Sequence, residues 1–594
     1  MDRRVLARGR GPSRRDVLKV GLAGALGSQL AMLDGLVSLP VRMAMAAGGT
    51  LPDIQFDIGN FIAPAFTVNN VMVRFGPVFT FFTPARLTRT PTAHDQAVFA
   101  QALGTIESVF PFNTKGVFTF VSYGVPYFNR LGGVAGGLVS GQMPKLASDG
   151  ATPVLQEAVP SPTDVSPANP GITKEKFNVP VTIENNDVLF TLRSDSTQNL
   201  RSIMGWLQGS NSLGGRRIAS PAFGGLFRFQ RTRVMFQAIG LPRQVANANH
   251  LPYAAQINPQ SPMWMGFADQ QTDAGAPAPL VTFAGSAGQG LSTAKAGDYF
   301  DNGSIQHLSH DILDLAQWYL LPNQDPAGEG EPFTERVQYM FNSNQLGTAD
   351  GLPSDGNADQ FANGGGPAFL ANVFQGADAV VRSARDSAGV FGAGNATLDA
   401  TFMGEHRIGH NGALQRSSRL PDGTPLHIRM DGTGFDNLDV PGGSNQPKLE
   451  FTVFVPSANF FQVMRQNQAA QDLQAEFGVD PADNGLERFI TATRRQNFLV
   501  PPRRHRAFPL LELTWGGRSF STGGTANGSG STGGTSTGSN GTATPTPTNR
   551  PTSPTPRPAA PSTPRPSSSP TNNTGSRTGS GGFGGFGGFG GFGR

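Results

Sequence analysis

The sequence contains no cysteine, and this absence excludes two kinds of scaffold. A disulfide framework is impossible, as is any zinc or iron–sulfur site that needs Cys ligands. Charged residues are also scarce, at 15% of the chain. Outside the first 46 residues there is no run of about 20 apolar residues, which argues against an integral membrane protein.

Positive charge is concentrated at the two ends of the chain. Residues 1–46 hold eight Lys/Arg against three Asp/Glu, and residues 521–594 hold five Arg and no acid. The residues between them therefore carry a net charge of about −6, although the whole chain carries +4. The basic pI thus gives no support to a nucleic-acid partner, and we predict none.

Residues 1–46 have the features of an export signal. A basic start is followed by Ser-Arg-Arg-Asp-Val-Leu-Lys at 13–19, a weakly apolar stretch, and the small-x-small cleavage site Ala-Met-Ala at 44–46. The paired arginines resemble the twin-arginine (Tat) pattern, with Val17 where Phe is usual. An ordinary Sec signal with a chance arginine pair is the alternative. Because the Tat pathway moves folded proteins, we expect a cofactor protein in the periplasm, on the cell surface or outside the cell.

The other end of the chain, 521–594, predicts a disordered tail. It is composed of Gly, Ser, Thr, Pro, Asn, Ala, Arg and a few Phe, which cannot bury enough apolar area to offset chain entropy. Its terminus repeats Gly-Gly-Phe around four phenylalanines: Phe583, Phe586, Phe589 and Phe592. These rings favour cell-surface attachment or self-association, and a passive tail is the alternative.

The middle of the chain alternates apolar extended segments with helical periodicity. Its pattern predicts an α+β fold with antiparallel sheets covered by helices on one face. The predicted strands are 71–75, 78–82, 116–124, 187–195, 304–318, 334–341 and 448–456. The predicted helices are 93–109, 198–207 and 460–477.

Few residues combine into a known catalytic or metal motif. No G-x-S-x-G, G-x-x-x-x-G-K-[ST], H-E-x-x-H or dinucleotide fingerprint occurs, which weakens hydrolase, phosphoryl-transfer and nicotinamide functions. His406 and His410 have the spacing of a helical metal pair, but the glycines around them favour a turn. His307 and His310 lie three apart in a predicted strand, so they should face opposite sides and not share a ligand.

Three short motifs, in order, resemble the dye-decolourising (DyP-type) haem peroxidases. They are Gly266-Phe267-Ala268-Asp269, Glu405-His406-Arg407-Ile408-Gly409 and His427-Ile428-Arg429. The resemblance implies two ferredoxin-like halves, 47–275 and 276–520, of the dimeric α/β barrel-like superfamily. It also implies haem b as cofactor, with hydrogen peroxide and an organic or metal electron donor as partners.

The resemblance also assigns roles to individual residues. His427 would be the ligand of the haem iron, since haem needs an axial donor and a neutral imidazole is a common one. Asp269 would be the distal acid/base, with a pKa raised by burial. Arg407 and Arg429 are candidate cofactor-binding residues. A core histidine and a turn-capping aspartate are the structural alternatives for the first two.

The sequence departs from the DyP pattern at two places. Gln270 stands where the first motif usually ends in Gly, and the stretch 435–443, where the family carries a distal Arg, has none. That Arg helps to stabilise the departing oxygen anion, so its absence weighs against peroxide cleavage. The alternative function is therefore a non-catalytic exported surface or binding protein that keeps the fold without haem.

Overall fold

The computed structural model describes residues 51–68, 71–134, 136–266, 275–320, 410, 424–471, 475 and 485–515. The chain divides into two units, 1–519 and 520–594. All of the second unit lies outside the described residues, as do the export signal, the strand predicted at 334–341 and the motif at 405–409. Among the described residues, no helix is long and apolar enough to cross a membrane.

The described part of the chain contains strands and helices in alternation. The strands are β1 (Phe66–Val68), β2 (Val71–Val73), β3 (Phe79–Leu87), β4 (Phe118–Gly124), β5 (Thr182–Ile183), β6 (Val188–Ser194), β7 (Ser212–Leu213), β8 (Arg216–Arg217), β9 (Phe227–Phe229), β10 (Arg233–Phe236), β11 (Ser304–Leu313), β12 (Ile428–Arg429), β13 (Gly432–Asp436), β14 (Gln446–Val455) and β15 (Ile490–Val500). The α-helices are α1 (Ala93–Val109), α2 (Val125–Asn129), α3 (Gly137–Gln142), α4 (Thr197–Leu207), α5 (Leu241–Ala248), α6 (Ala278–Val281), α7 (Phe283–Ala287), α8 (Leu315–Leu320) and α9 (Ala458–Ala469). Short 3₁₀ helices lie at Gly59–Phe61, Phe223–Gly225, Ala254–Gln256, Glu487–Phe489, Arg503–His505 and Leu511–Trp515.

The first half of the sheet has the ferredoxin-like arrangement. Along the chain its main elements run β3, α1, β4, β6, α4 and β10, and in the sheet the strands lie in the order β10-β3-β6-β4, all antiparallel. Helix α1 begins at a capping box, in which the Thr92 hydroxyl accepts from the backbone N–H of Asp95 and the Asp95 carboxylate accepts from that of Thr92.

The second half repeats the same arrangement. Its main elements run β11, β13, β14, α9 and β15, and the strands lie in the order β15-β11-β14-β13, again antiparallel. The crossover from β11 to β13 starts with α8 and continues through residues outside the described part of the chain. The fourth strand of each half therefore lies at one edge of its sheet and the second strand at the other.

The two halves join edge to edge and close a ring. The fourth strand of the first half, β10, pairs with the second strand of the second half, β13, and β15 pairs with β4 in the same way. Within the described residues, eight strands thus form a closed antiparallel barrel with approximate two-fold symmetry. The predicted α+β fold with two ferredoxin-like halves is confirmed.

Side chains alternate between the inside of this barrel and its outer face. The inside holds an apolar cluster that draws on seven of the eight strands and includes Phe82, Phe120, Leu189, Met235, Leu308, Phe454 and Phe498. The outer face carries the helices: the Phe99 ring of α1 meets that of Phe190 on β6, and α9 packs over β11 and β14. Three of the barrel strands, β10, β13 and β15, were not predicted, the strand predicted at 78–82 continues to Leu87, and the strand predicted at 304–318 is shorter. That strand ends at Leu313 because Asp314 caps helix α8, its carboxylate accepting from the N–H of Gln317 at 3.2 Å.

Candidate functional site around His427

His427 lies directly before β12, the short strand at the edge of β14. Ile428 pairs with Phe454 and Arg429 with Val453. Since Phe454 belongs to the apolar cluster inside the barrel, alternation places Arg429, and by extension His427, toward the outer face. The His427 side chain is buried, with 1% of its surface exposed, whereas Arg429 is half-buried. The two predicted cofactor-binding residues of this motif therefore share one side of the strand.

The segment that carries Asp269 is anchored at both of its described ends. At its N-terminal end, the Trp264 indole donates to the carbonyl of Gly434 in β13 at 2.9 Å, and the Tyr319 hydroxyl donates to the Trp264 carbonyl. At its C-terminal end, the backbone N–H of Ala276 donates to the carbonyl of His427 at 2.9 Å. Asp269 itself and Arg407 lie outside the described residues.

The stretch 435–443 uses its side chains for packing and ion pairs. Phe435 packs against Trp264, with 6.1 Å between ring centroids. Two arginines from other elements reach this stretch: Arg231 donates to the Asn437 amide oxygen at 2.7 Å, and Arg494 holds Asp439 through two bonds of 2.6 and 2.7 Å. Both guanidinium groups are thus engaged in contacts with this stretch.

The outer face under α9 contains a polar network centred on His307. Its Nδ1 lies 2.7 Å from the Asn497 amide oxygen and its Nε2 lies 2.8 Å from the Ser309 hydroxyl. The Arg495 guanidinium also donates to Ser309, and the imidazole stacks on Phe461 at 3.9 Å. Burial, and then the charge of Arg495, hold the pKa of His307 well below its ordinary value, so the ring is neutral.

This Ser–His–Asn chain has the hydrogen-bond order of a nucleophilic triad, but its burial favours a structural role. Ser309 is fully buried beneath α9 and its oxygen already accepts from Arg495, so a substrate carbonyl has no access to it. His310, three residues from His307, faces the inside of the barrel and contacts Glu450. The expectation that these two histidines lie on opposite faces is confirmed. His410 is helical, which differs from the turn predicted at this position, and its Nδ1 lies 3.2 Å from the Gln468 amide nitrogen; His406 lies outside the described residues.

The sequence shows no sign of the polar residues that surround His307. Arg495, Asp164 and Asn497 carried no motif, because they come from a strand and a loop more than 300 residues apart. The signal that was available is the alternation of β15, Thr491 to Val500, which the adjacent arginines Arg494 and Arg495 obscure.

Solved structures with a similar arrangement include several DyP-type peroxidases. A putative dyp-type peroxidase from Shewanella oneidensis is 12% identical, with a TM-score of 0.40 over 73% of this chain and 95% of that chain. A DyP-type peroxidase from Cellulomonas bogoriensis is 12% identical, with a TM-score of 0.39 over 79% and 95%. A DypB variant from Rhodococcus jostii RHA1 in complex with heme is 12% identical, with a TM-score of 0.39 over 73% and 96%. With identities and TM-scores this low, these structures give no information about an activity or a ligand of this chain.

The comparison with functionally curated proteins gives no match. Among protein-family models, one described as "Family of unknown function (DUF7405)" matches residues 155–351 and 380–502. These residues are more than half of the chain. The chain therefore belongs to this family of unknown function, DUF7405.

Proposed function

We propose that this protein is an exported haem protein that uses hydrogen peroxide to oxidise an organic or metal donor, with His427 as the axial ligand of haem b. The observation that carries the proposal is the hydrogen bond from the Ala276 N–H to the His427 carbonyl. It joins the end of the Asp269 segment to the His-Ile-Arg motif, two elements about 150 residues apart that the DyP resemblance requires to meet.

The residues on this side of the barrel fit the chemistry of the cofactor. His427 offers a buried imidazole, and haem iron needs one such axial donor. Arg429, on the same side of β12, offers a guanidinium that suits a haem propionate. Bound haem would supply the redox chemistry of peroxide reduction. The protein would contribute orientation, exclusion of water and a proton carrier, the last assigned to Asp269.

A second candidate function is favoured by the stretch 435–443. No Arg occurs in it, and the two arginines that reach it, Arg231 and Arg494, are held by Asn437 and Asp439. If no other arginine of the chain takes the distal position, stabilisation of the departing oxygen anion is weakened. The alternative is a non-catalytic exported surface or binding protein on the same fold, with the tail used for attachment or association.

An absorption spectrum separates the two functions. The mature chain is purified, supplied with haem and freed of excess, and the expected result is a Soret band from one haem per chain. The band should be lost or shifted in His427→Ala and unchanged in His94→Ala, whose imidazole is exposed on α1 and reports adventitious binding. Absence of the band, or its persistence in a folded His427→Ala, contradicts the proposal.

Peroxide turnover is measured separately from haem binding. The haem-loaded chain is mixed with hydrogen peroxide and a reducing dye, and oxidation of the dye is followed. Oxidation that depends on both haem and His427 supports the peroxidase. A haem-loaded chain that oxidises no donor supports a haem protein without this activity, and a colourless chain supports the non-catalytic alternative.

A further inference from the structure

A second group of potential ligands lies inside the barrel, on the face opposite His307. His310 of β11, Glu450 of β14 and Asp436 of β13 come from three adjacent strands, and all three are buried. His310 and Glu450 are direct cross-strand partners in the register of the sheet. One donor atom from each residue lies within 4.8 Å of the other two. The strand pairing therefore brings an imidazole and two carboxylates to one point.

The hydrogen bonding of His310 leaves one of its nitrogens aimed at a carboxylate without a bond. Nδ1 lies 2.8 Å from Glu450 Oε1, whereas Nε2 lies 3.8 Å from Asp436 Oδ1. The second distance is too long for a hydrogen bond. Nε2 of His310 and Oε2 of Glu450 are both buried, and neither has a hydrogen-bond partner among the described residues. A buried polar atom in this state is costly unless something outside the protein chain satisfies it.

The tautomer of the ring sharpens this point. If Nδ1 carries the ring proton and donates a hydrogen bond to the Glu450 carboxylate, Nε2 is unprotonated. Its lone pair then faces the Asp436 oxygen, so that two hydrogen-bond acceptors oppose each other. A separation of 3.8 Å suits two ligands of one cation, because metal–ligand bonds of about 2.1 Å place neighbouring ligands roughly 3–4 Å apart.

The charges around this point are balanced in number. Four cationic and four acidic side chains surround His310 and Glu450: Arg231, Arg233, Arg494 and Lys448, with Glu184, Asp439, Asp436 and Glu450. Arg233 and Arg494 are paired with Glu184 and Asp439, outside the triad. Lys448 lies 3.9 Å from Asp436 but donates its hydrogen bond to the Leu438 carbonyl at 2.7 Å. With His310 neutral these charges cancel, so a cation would be held here by the geometry of the donor atoms and not by an excess of negative charge.

We propose that His310, Asp436 and Glu450 bind one divalent transition-metal ion inside the barrel. A mixed imidazole and carboxylate donor set suits Zn²⁺ or Mn²⁺ better than Mg²⁺ or Ca²⁺, which prefer oxygen ligands alone. The ion would connect β11, β13 and β14 close to the seam where β13 meets β10. Its role is to stabilise this junction of the two halves, independently of any haem at His427.

The test uses the full chain without a histidine tag, stripped with a chelator and then dialysed against Zn²⁺ or Mn²⁺. Elemental analysis should find one tightly bound ion per chain, and its binding should raise the midpoint of thermal unfolding. The ion should be lost in Asp436→Asn and His310→Gln. It should be retained in His307→Gln, a matched control on the same strand whose nitrogens are both bonded within the protein.

Two results overturn the proposal: a stripped wild-type chain that takes up no ion, and folded Asp436→Asn and His310→Gln variants that bind as much as wild type. If these variants do not fold, the visible absorption of Co²⁺ added to the wild-type chain decides. Visible absorption stronger than that of aqueous Co²⁺ supports a protein site with four or five ligands. A spectrum identical to that of aqueous Co²⁺ contradicts the proposal. Haem absorption does not enter these readouts, so failure here is distinguishable from failure of the proposed peroxidase.

Discussion

The ion pair between Asp164 and Arg495 gives the most quantitative test of how the outer face is held together. Both side chains are almost fully buried, and Arg495 grips the carboxylate through bonds of 2.6 and 2.8 Å. Asp164 also accepts the N–H of Ser161 at 2.7 Å, and Arg495 extends the network to Ser309 and so to His307. Removing the acid leaves a buried guanidinium without its counter-charge.

We therefore expect Asp164→Ala to lower the free energy of unfolding by about 3–5 kcal/mol, the usual cost of breaking a buried pair from one side. Adding Arg495→Met should recover part of this loss, because the double variant removes both members of the pair and Met fills part of the volume; buried Asp311, which also interacts with Arg495, limits the recovery. The free energies are measured by urea denaturation followed by far-UV circular dichroism.

A matched control comes from the exposed pair Asp53 and Arg504, whose side chains are 30% and 39% exposed. Solvent screens such a pair, so Asp53→Ala should cost no more than about 1 kcal/mol. The reasoning about burial fails if Asp164→Ala costs as little as the control. It also fails if the double variant is less stable than the wild type by the sum of the losses of the two single variants.

Three further outcomes are expected. Burial alone would raise the pKa of Asp164, but Arg495 outweighs burial and holds the pKa below its ordinary value. The resulting stabilisation is present above about pH 4 and is lost as the pH falls further. The free energy of unfolding should therefore depend less on pH in this range in the double variant than in the wild type. Thr92→Ala removes the cap of α1 and should cost about 1 kcal/mol in the same urea assay, while Thr105→Ala within the helix should cost less. Asp269→Asn should leave the haem spectrum intact and reduce peroxide turnover by roughly 100-fold or more in stopped-flow assays; unchanged turnover would remove Asp269 from the mechanism.

Part of the fold could be predicted from the sequence because several elements carry strong periodic signals, although the longest strand, β15, was not predicted. The strand at 187–195 and the helix at 93–109 are found within one residue of their predicted bounds. The closure of the barrel could not be predicted, because β13 reads Gly-Thr-Gly-Phe-Asp and has no apolar alternation. Its second glycine faces Glu450 and Lys448 so closely that a Cβ would lie 3.1 Å from each side chain.

The candidate sites show the same division between local and long-range information. His427 could be identified because three consecutive residues match a motif, and the motif needs no knowledge of the fold. The triad of His310, Asp436 and Glu450 depends on strand register across 140 residues, and no local pattern encodes it. The polar chain from His307 to Asp164 is hidden for the same reason.

The edge-to-edge closure of the barrel has a consequence for each half taken separately. A ferredoxin-like sheet by itself leaves a row of unsatisfied backbone N–H and C=O groups along its second and its fourth strand. In this chain each half pairs with part of both rows of the other, at Phe236 with Thr433 and at Tyr123 and Gly124 with Leu499 and Phe498. A fragment limited to one half would thus meet the same need by associating with an identical fragment, giving a homodimer whose seam reproduces the one that the intact chain makes within itself.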